Sequence, residues 1–203
     1  MMHFDLILEH ILLVTVAVLA AAALAIPAAI ASHRHPSLGR WVLKLADVIQ
    51  TIPSLALFGL LLPLPLIGGI GSKLAIAVLF LYAVLPILRN SILGLNGISQ
   101  DIIESATALG MSTGEILREV QLPLAAPSIL AGLRIATVTT IGTATVAAAI
   151  GAGGLGVLLY RGLATVETGL LLEGAIPAAL LALLADQAFQ WIEDKFSNSA
   201  QQP

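Results

Sequence analysis

Cysteine is absent from the 203 residues, which excludes disulfides and thiolate metal sites and says nothing about compartment. Charge is almost as scarce. Only 10% of residues are Asp, Glu, Lys or Arg, against about 25% in an average soluble domain, too few to cover a water-facing surface. Nine basic and twelve acidic residues leave a net charge of −3, so there is no basic field for nucleic acid. Aromatics make up 4%, which argues against a cage of stacked rings for a cationic ligand within this chain alone. What fills the gap is hydrophobic: 58% of the chain, with a mean hydropathy of +1.00. A soluble enzyme and a disordered tail are both excluded, and an all-α membrane protein is expected.

A bilayer core takes about 20 apolar residues of helix. Runs of this kind fall at about 11–31, 48–70, 74–95, 128–150 and 170–189, so five spans are expected in a single membrane domain covering 1–203. The first run is too long for the core of a signal peptide, and Asp5 and Glu9 precede it rather than Lys or Arg. Basic side chains stay in the cytoplasm during insertion. Arg34, Arg40, Lys44, Arg89, Arg118, Arg134 and Lys195 fall on one side of this layout, and only Lys73 and Arg161 on the other. The N-terminus is therefore expected outside and the C-terminus in the cytoplasm. Pro27, Pro53, Pro63, Pro65, Pro86 and Pro177 lie within the spans and Pro127 starts one, which suggests bent helices.

The stretch 94–127 is the least hydrophobic part of the domain, yet it has no Ser, Pro or Gly run of a flexible linker. It reads as two short helices on the cytoplasmic side. Ser99 is placed to cap the first, and Ile102, Ala106 and Leu109 give it an apolar stripe. Gly110 stands where a helix ends in a left-handed residue. Ser112 and Glu115 have the spacing of a capping box that opens the second, and Pro123 and Pro127 are expected to redirect the chain to the membrane. A compact excursion of this length suggests docking rather than mere connection.

Within it, Glu104-Ser105-Ala106, three residues, Gly110, nine residues and Val120-x-Leu122-Pro123 resemble the EAA loop of permeases in bacterial ABC importers. Ser105 stands where the family has Ala, and Val120 where it has Ile; the spacing is intact. The segments 49–56, 81–90, 141–145 and 150–156 are similar to permeases for glycine betaine, carnitine, choline and related quaternary amines, so the resemblance covers about 45–186. It implies the type I ABC importer permease fold, with cytoplasmic coupling helices. It implies a cytoplasmic ABC ATPase dimer, a second permease copy or related permease, and an extracytoplasmic substrate-binding protein as partners. Glu104, Ser105, Ala106, Gly110, Glu115, Leu122 and Pro123 become the expected ATPase-coupling residues. The implied location is a bacterial or archaeal cell membrane.

Other motifs mislead. Gly151, Gly153 and Gly156 formally satisfy G-x-G-x-x-G, but they follow an apolar span where a dinucleotide site needs a strand. Close helix approach or a tight turn near an outer gate is the better account of Gly151, Gly153, Gly154 and Gly156. No phosphate-cradling G-x-x-x-x-G-K-[ST] occurs, so ATP must be hydrolysed by a partner. His3, His10, His33 and His35 do not form a metal set, and His33-Arg34-His35 sits in a basic cytoplasmic loop where solvation and topology are the better account; no catalytic constellation is legible, and no cofactor is expected. The polar in-span residues Gln50, Thr51, Ser54, Thr140 and Thr143, with Pro53, are the candidates for the translocation pathway. Asp47, Glu173 and Asp186 fit snorkelling or partner contact better than cation binding. The alternatives are a permease for another small solute, of methionine or phosphonate type, and an ion-driven secondary transporter. The latter calls for mid-span carboxylates and an internal repeat, and neither is seen.

Overall fold

The computed structural model describes residues 4–65 and 67–200; His3 lies outside them. Among these residues every regular element is a helix. The longest elements are α1 (Phe4–Arg34), α4 (Ser72–Asn96), α7 (Leu122–Ala144) and α9 (Thr168–Ala200). Between them lie α2 (Pro36–Thr51), α3 (Ser54–Leu61), α5 (Gln100–Ala108), α6 (Thr113–Glu115) and α8 (Gly156–Thr165). Four helices are long and apolar enough to cross a membrane, and α2 with α3 makes a fifth if that bent pair is one broken span.

α4 is the centre of the bundle, packed between α1 and α7, and α9 closes on the far side of α7. Lipid tails are as apolar as Leu, so helices in a bilayer associate through close packing rather than hydrophobic drive. The sequence supplies the small residues this needs. Ala17, Ala21, Ala25 and Ala29 recur every fourth position on α1, and all are 0% exposed. Gly132 of α7 lies against Pro86 and Asn90 of α4, and a Cβ there would come within 2.9 Å of the Pro86 carbonyl. Leu172, Ile176, Leu180 and Leu183 are left exposed along α9, as a lipid-facing surface requires.

The second expected span differs from its hydropathy outline. Rather than running through 48–70, the helix stops at Thr51, Ile52 is extended, and α3 leaves at 99°. Pro53 explains the break: it has no N–H and excludes the helical conformation from the residue before it. Pro63 and Pro65 follow directly on the end of α3, and the chain turns through Gly69 and Gly71 with φ of +97° and +118°.

The fourth span also differs. Pro123 and Pro127 do not redirect the chain, because a single helical path runs from Thr113 to Ala144. Its segment Ile116–Gln121 is wound as a π-helix, and the Leu122 N–H bonds back to the Leu117 carbonyl. An α-helix would need a donor at Pro123; the wider π turn absorbs its loss.

Candidate functional site

Three features concentrate polar chemistry. The first is the excursion after α4. Its initial helix ends in a Schellman motif: the Gly110 N–H bonds the Thr107 carbonyl at 2.9 Å, and the Met111 N–H bonds Ala106 at 3.2 Å. Gly110 has φ +84°, and a Cβ there would meet nothing within 4 Å. The capping box forms: the Ser112 N–H donates to Glu115 Oε2 at 2.7 Å, and the Glu115 N–H donates to Ser112 Oγ at 3.4 Å. Ser99 sits at the N-cap of α5 without a side-chain bond. The expected stripe divides. Ala106 is buried, and α5 packs on the π-helical segment, while Ile102 is 41% and Leu109 83% exposed. Glu104, Ser105, Gly110, Glu115 and Pro123 are exposed and Leu122 is half-buried.

This excursion is tied to the bundle by a side chain that sequence reasoning assigned to solvent. His33 Nδ1 lies 2.7 Å from Asn96 Oδ1 at the end of α4, and its Nε2 lies 3.1 Å from Gln121 Nε2 in the π segment. The neutral Nδ1–H tautomer satisfies both contacts, donating to Asn96 and accepting from Gln121. One imidazole thus joins α1, α4 and the excursion.

The second feature is a cavity of about 400 Å³, open on one side, between the end of α2, the middle of α4 and α7. Gln50, Tyr82, Pro86, Arg89, Asn90, Thr139 and Thr143 are among its lining residues. Gln50 Nε2 donates to the Tyr82 carbonyl at 2.8 Å, and the Tyr82 hydroxyl donates to the Ile52 carbonyl. Together they hold the broken end of α2 against α4. Arg89 Nη2 donates to Asp47 Oδ1 at 2.6 Å, a second α4–α2 link. Two expected pathway residues, Gln50 on α2 and Thr143 on α7, therefore line the same cavity. Thr51, Pro53 and Ser54 form the break beside it. Thr140 lies elsewhere, 1% exposed in the core, because one residue's step turns it off the face that Thr139 and Thr143 present. Tyr82, Arg89, Asn90 and Thr139 were not among the expected pathway residues. The available signal was a charge within a span, seven positions from a tyrosine and hence on the same helix face.

The third feature is the glycine turn. Gly151, Gly153 and Gly154 have φ of +72°, +82° and +74°. The turn rests on the start of α1. The Gly154 N–H donates to Glu9 Oε2 at 3.0 Å, and His10 Nε2 donates to the Ile141 carbonyl at 3.1 Å. It follows a short 3₁₀ segment rather than a strand and so lacks the setting of a dinucleotide fingerprint. Glu9 and His33 are 24 positions apart on α1, which places the glycine turn and the excursion ~36 Å from each other along the helix axis, a membrane's thickness.

A further in-span charge is paired within the chain. Arg134 holds Asp186 with two bonds, Nε to Oδ1 at 2.6 Å and Nη2 to Oδ2 at 3.1 Å, and Glu193 Oε2 lies 3.5 Å from its Nη1. This staple fixes α9 to α7. Asp47 and Asp186 thus find their partners inside the chain.

Residues 12–198 match the family described as binding-protein-dependent transport system inner membrane component. The chain is 42% identical over 186 residues to the carnitine transport permease protein OpuCD of Listeria monocytogenes, covering 91% of this chain and 82% of that one. It is 43% identical over 190 residues to the glycine betaine/carnitine/choline transport system permease protein OpuCD of Bacillus subtilis, covering 93% and 82%. It is 42% identical over 184 residues to the osmoprotectant import permease protein OsmW of Salmonella typhimurium, covering 90% and 86%. In fold it is similar to an inward-facing form of the MetNI methionine ABC transporter, with a TM-score of 0.86 at 22% identity over 96% of both chains.

Proposed function

Because the chain belongs to the family of binding-protein-dependent transport system inner membrane components, and is thus a membrane permease subunit of an ABC importer, we propose that it carries quaternary-amine osmoprotectants such as glycine betaine, carnitine and choline into the cell. The relatives' names support the solute class. A separate pair of cytoplasmic ATPase chains hydrolyses ATP, an extracytoplasmic binding protein delivers solute, and a second permease faces the open side of the Gln50–Tyr82–Thr143 cavity.

The observation that carries the coupling role is Leu109 beside Gly110: an apolar side chain 83% exposed next to a backbone position with open space around it. Such a surface suits a groove on another chain. ATP-driven approach of the two ATPases moves α5 and the capping-box turn as one body, and the His33 junction passes the motion to α1 and α4. The kinked helices then change access to the cavity. His33→Ala is expected to leave the ATPase bound while solute moved per ATP falls about threefold or more, the cost of losing two hydrogen bonds at the junction. Parallel measurement of uptake and phosphate release checks it.

Reconstitution tests the function. Vesicles holding the complex and its binding protein are expected to accumulate labelled glycine betaine or carnitine only with ATP inside. Uptake of methionine or a phosphonate in their place, with no quaternary amine moved, would overturn the solute class. Orientation has its own test, made simple by the absence of native cysteine. In intact cells, Lys73→Cys is expected to react with an impermeant maleimide and Ser112→Cys to react only after lysis. The opposite pattern would reverse the topology.

A further inference from the structure

Arg89 is the one cationic side chain among the residues lining the 400 Å³ cavity, and no carboxylate lines it. It stands 16 positions into α4 from Lys73, ~24 Å along the axis and seven positions before the helix ends at Asn96, so it falls in the last third of an apolar span. A charge within a span marks a pathway more often than a packing role. Its partner Asp47 holds it through a single contact, Nη2 to Oδ1 at 2.6 Å, which leaves most of the planar fork of donors uncommitted to carboxylate. The pair is half exposed, with side chains 52% and 46% accessible. Two helix turns earlier on the same face, Tyr82 lines the same cavity, and an aromatic ring is the weak cation-attracting group that a trimethylammonium prefers.

We infer that Arg89, steadied by Asp47, receives the carboxylate of a zwitterionic solute in the translocation pathway, so that this permease passes betaine- and carnitine-type solutes in preference to carboxylate-free cations such as choline. The inference rests on the osmoprotectant reading above and adds a selecting residue within the membrane. The chemistry fixes the sign. A guanidinium repels a bare cation and forms charge-assisted hydrogen bonds with a carboxylate. Asp47 keeps the attraction modest, as a passing solute requires, since it competes for the same donors. The threonines of the opposite wall do not supply this discrimination. Thr139 and Thr143 direct their hydroxyl hydrogens into their own helix, to the Ile135 and Thr139 carbonyls at 2.7 and 2.9 Å.

The test compares ATP-driven uptake of glycine betaine and of choline, each at a concentration that saturates the same binding protein, in vesicles holding the whole complex. Preference of the binding protein then cancels between variants. Arg89→Gln is expected to lower the betaine-to-choline ratio of initial rates about tenfold, the loss of a charged hydrogen bond. The exchange Asp47→Arg with Arg89→Asp keeps an ion pair between α2 and α4 but turns its anion toward the solute, and is expected to favour choline. A ratio within twofold of the parent in both variants overturns the inference, as does equal or complete loss of both solutes in both, which would assign the pair to holding α2 against α4. If the parent complex moves no quaternary amine, the osmoprotectant reading itself fails, and that outcome is visible before any variant is made.

Discussion

Gly110→Arg is expected to abolish transport while leaving the permease folded and inserted. Two physical terms combine. The residue has φ +84°, where an L side chain costs about 1–2 kcal/mol, since the Schellman closure at Thr107 and Ala106 fixes that conformation. That strain alone is what Gly110→Ala introduces, because its Cβ meets no atom of this chain within 4 Å. Alanine should therefore reduce uptake only a few-fold. Arginine adds a long cationic side chain on the face that Leu109 presents outward. If that face seats in the ATPase, the bulk must displace the partner, and losing a central interface contact costs about 2 kcal/mol or more. Uptake is expected to fall at least thirtyfold, with the ATPase no longer co-purifying. Arginine and alanine variants with equal, near-parental uptake would show that Gly110 faces nothing, and the docking role would fail. Expression level and thermal stability of the permease alone are the controls, and both should change little.

The contrast between the two variants shows why this part of the site was legible in sequence. Gly110, Ser112 and Glu115 act over three or four positions, and local backbone chemistry dictates their geometry whatever the rest of the fold does. Four of the five apolar runs, those that became long helices, were legible for a similar reason, since length and hydropathy alone meet the bilayer's demand. Direction was not. Hydropathy reads the same for a straight and a broken helix, so the 99° bend at Pro53 was visible only as the presence of a proline. At Pro123 the same residue type had the opposite outcome, because a π turn carried the helix through. The two side-chain junctions were invisible. His33 and Gln121 are 88 positions apart, and Arg89 and Asp47 are 42. No periodicity relates them, and only the packing of α1, α2 and α4 brings them together. Sequence weighed His33 as a solvated loop residue and Asp47 as one that snorkels or meets a partner. Each is a joint between helices.

Gly156→Ala is expected to be the most damaging single methyl group in the chain outside the coupling surface. A Cβ at this position would lie 2.0 Å from the Thr145 carbonyl oxygen and 2.8 Å from the Ala148 Cβ. Neither neighbour can yield cheaply. The Thr145 carbonyl is backbone at the end of α7, and Ala148 is in the 3₁₀ turn that carries the chain to the glycine loop. Relief requires α8 to lift by more than 1 Å from the end of α7, a displacement on the scale that overpacking imposes. Leu155 and Leu158, each 1% exposed, are seated by that same approach and would lift with it. Overpacking typically costs about 1–3 kcal/mol, and contact with immobile backbone puts this case at or above the upper end. The half-life of the purified complex on heating should shorten, and its midpoint should fall by about 6 °C or more. Gly169→Ala provides the comparison. It adds the same methyl group in the first turn of α9, where nothing lies within 4 Å, and better helix propensity should leave stability unchanged or raise it by up to about 1 kcal/mol. Equal midpoints for the two variants would mean that α8 is not planted on α7. The glycine turn, held to Glu9 through the Gly154 N–H, would then be free to move independently of the helix that follows it.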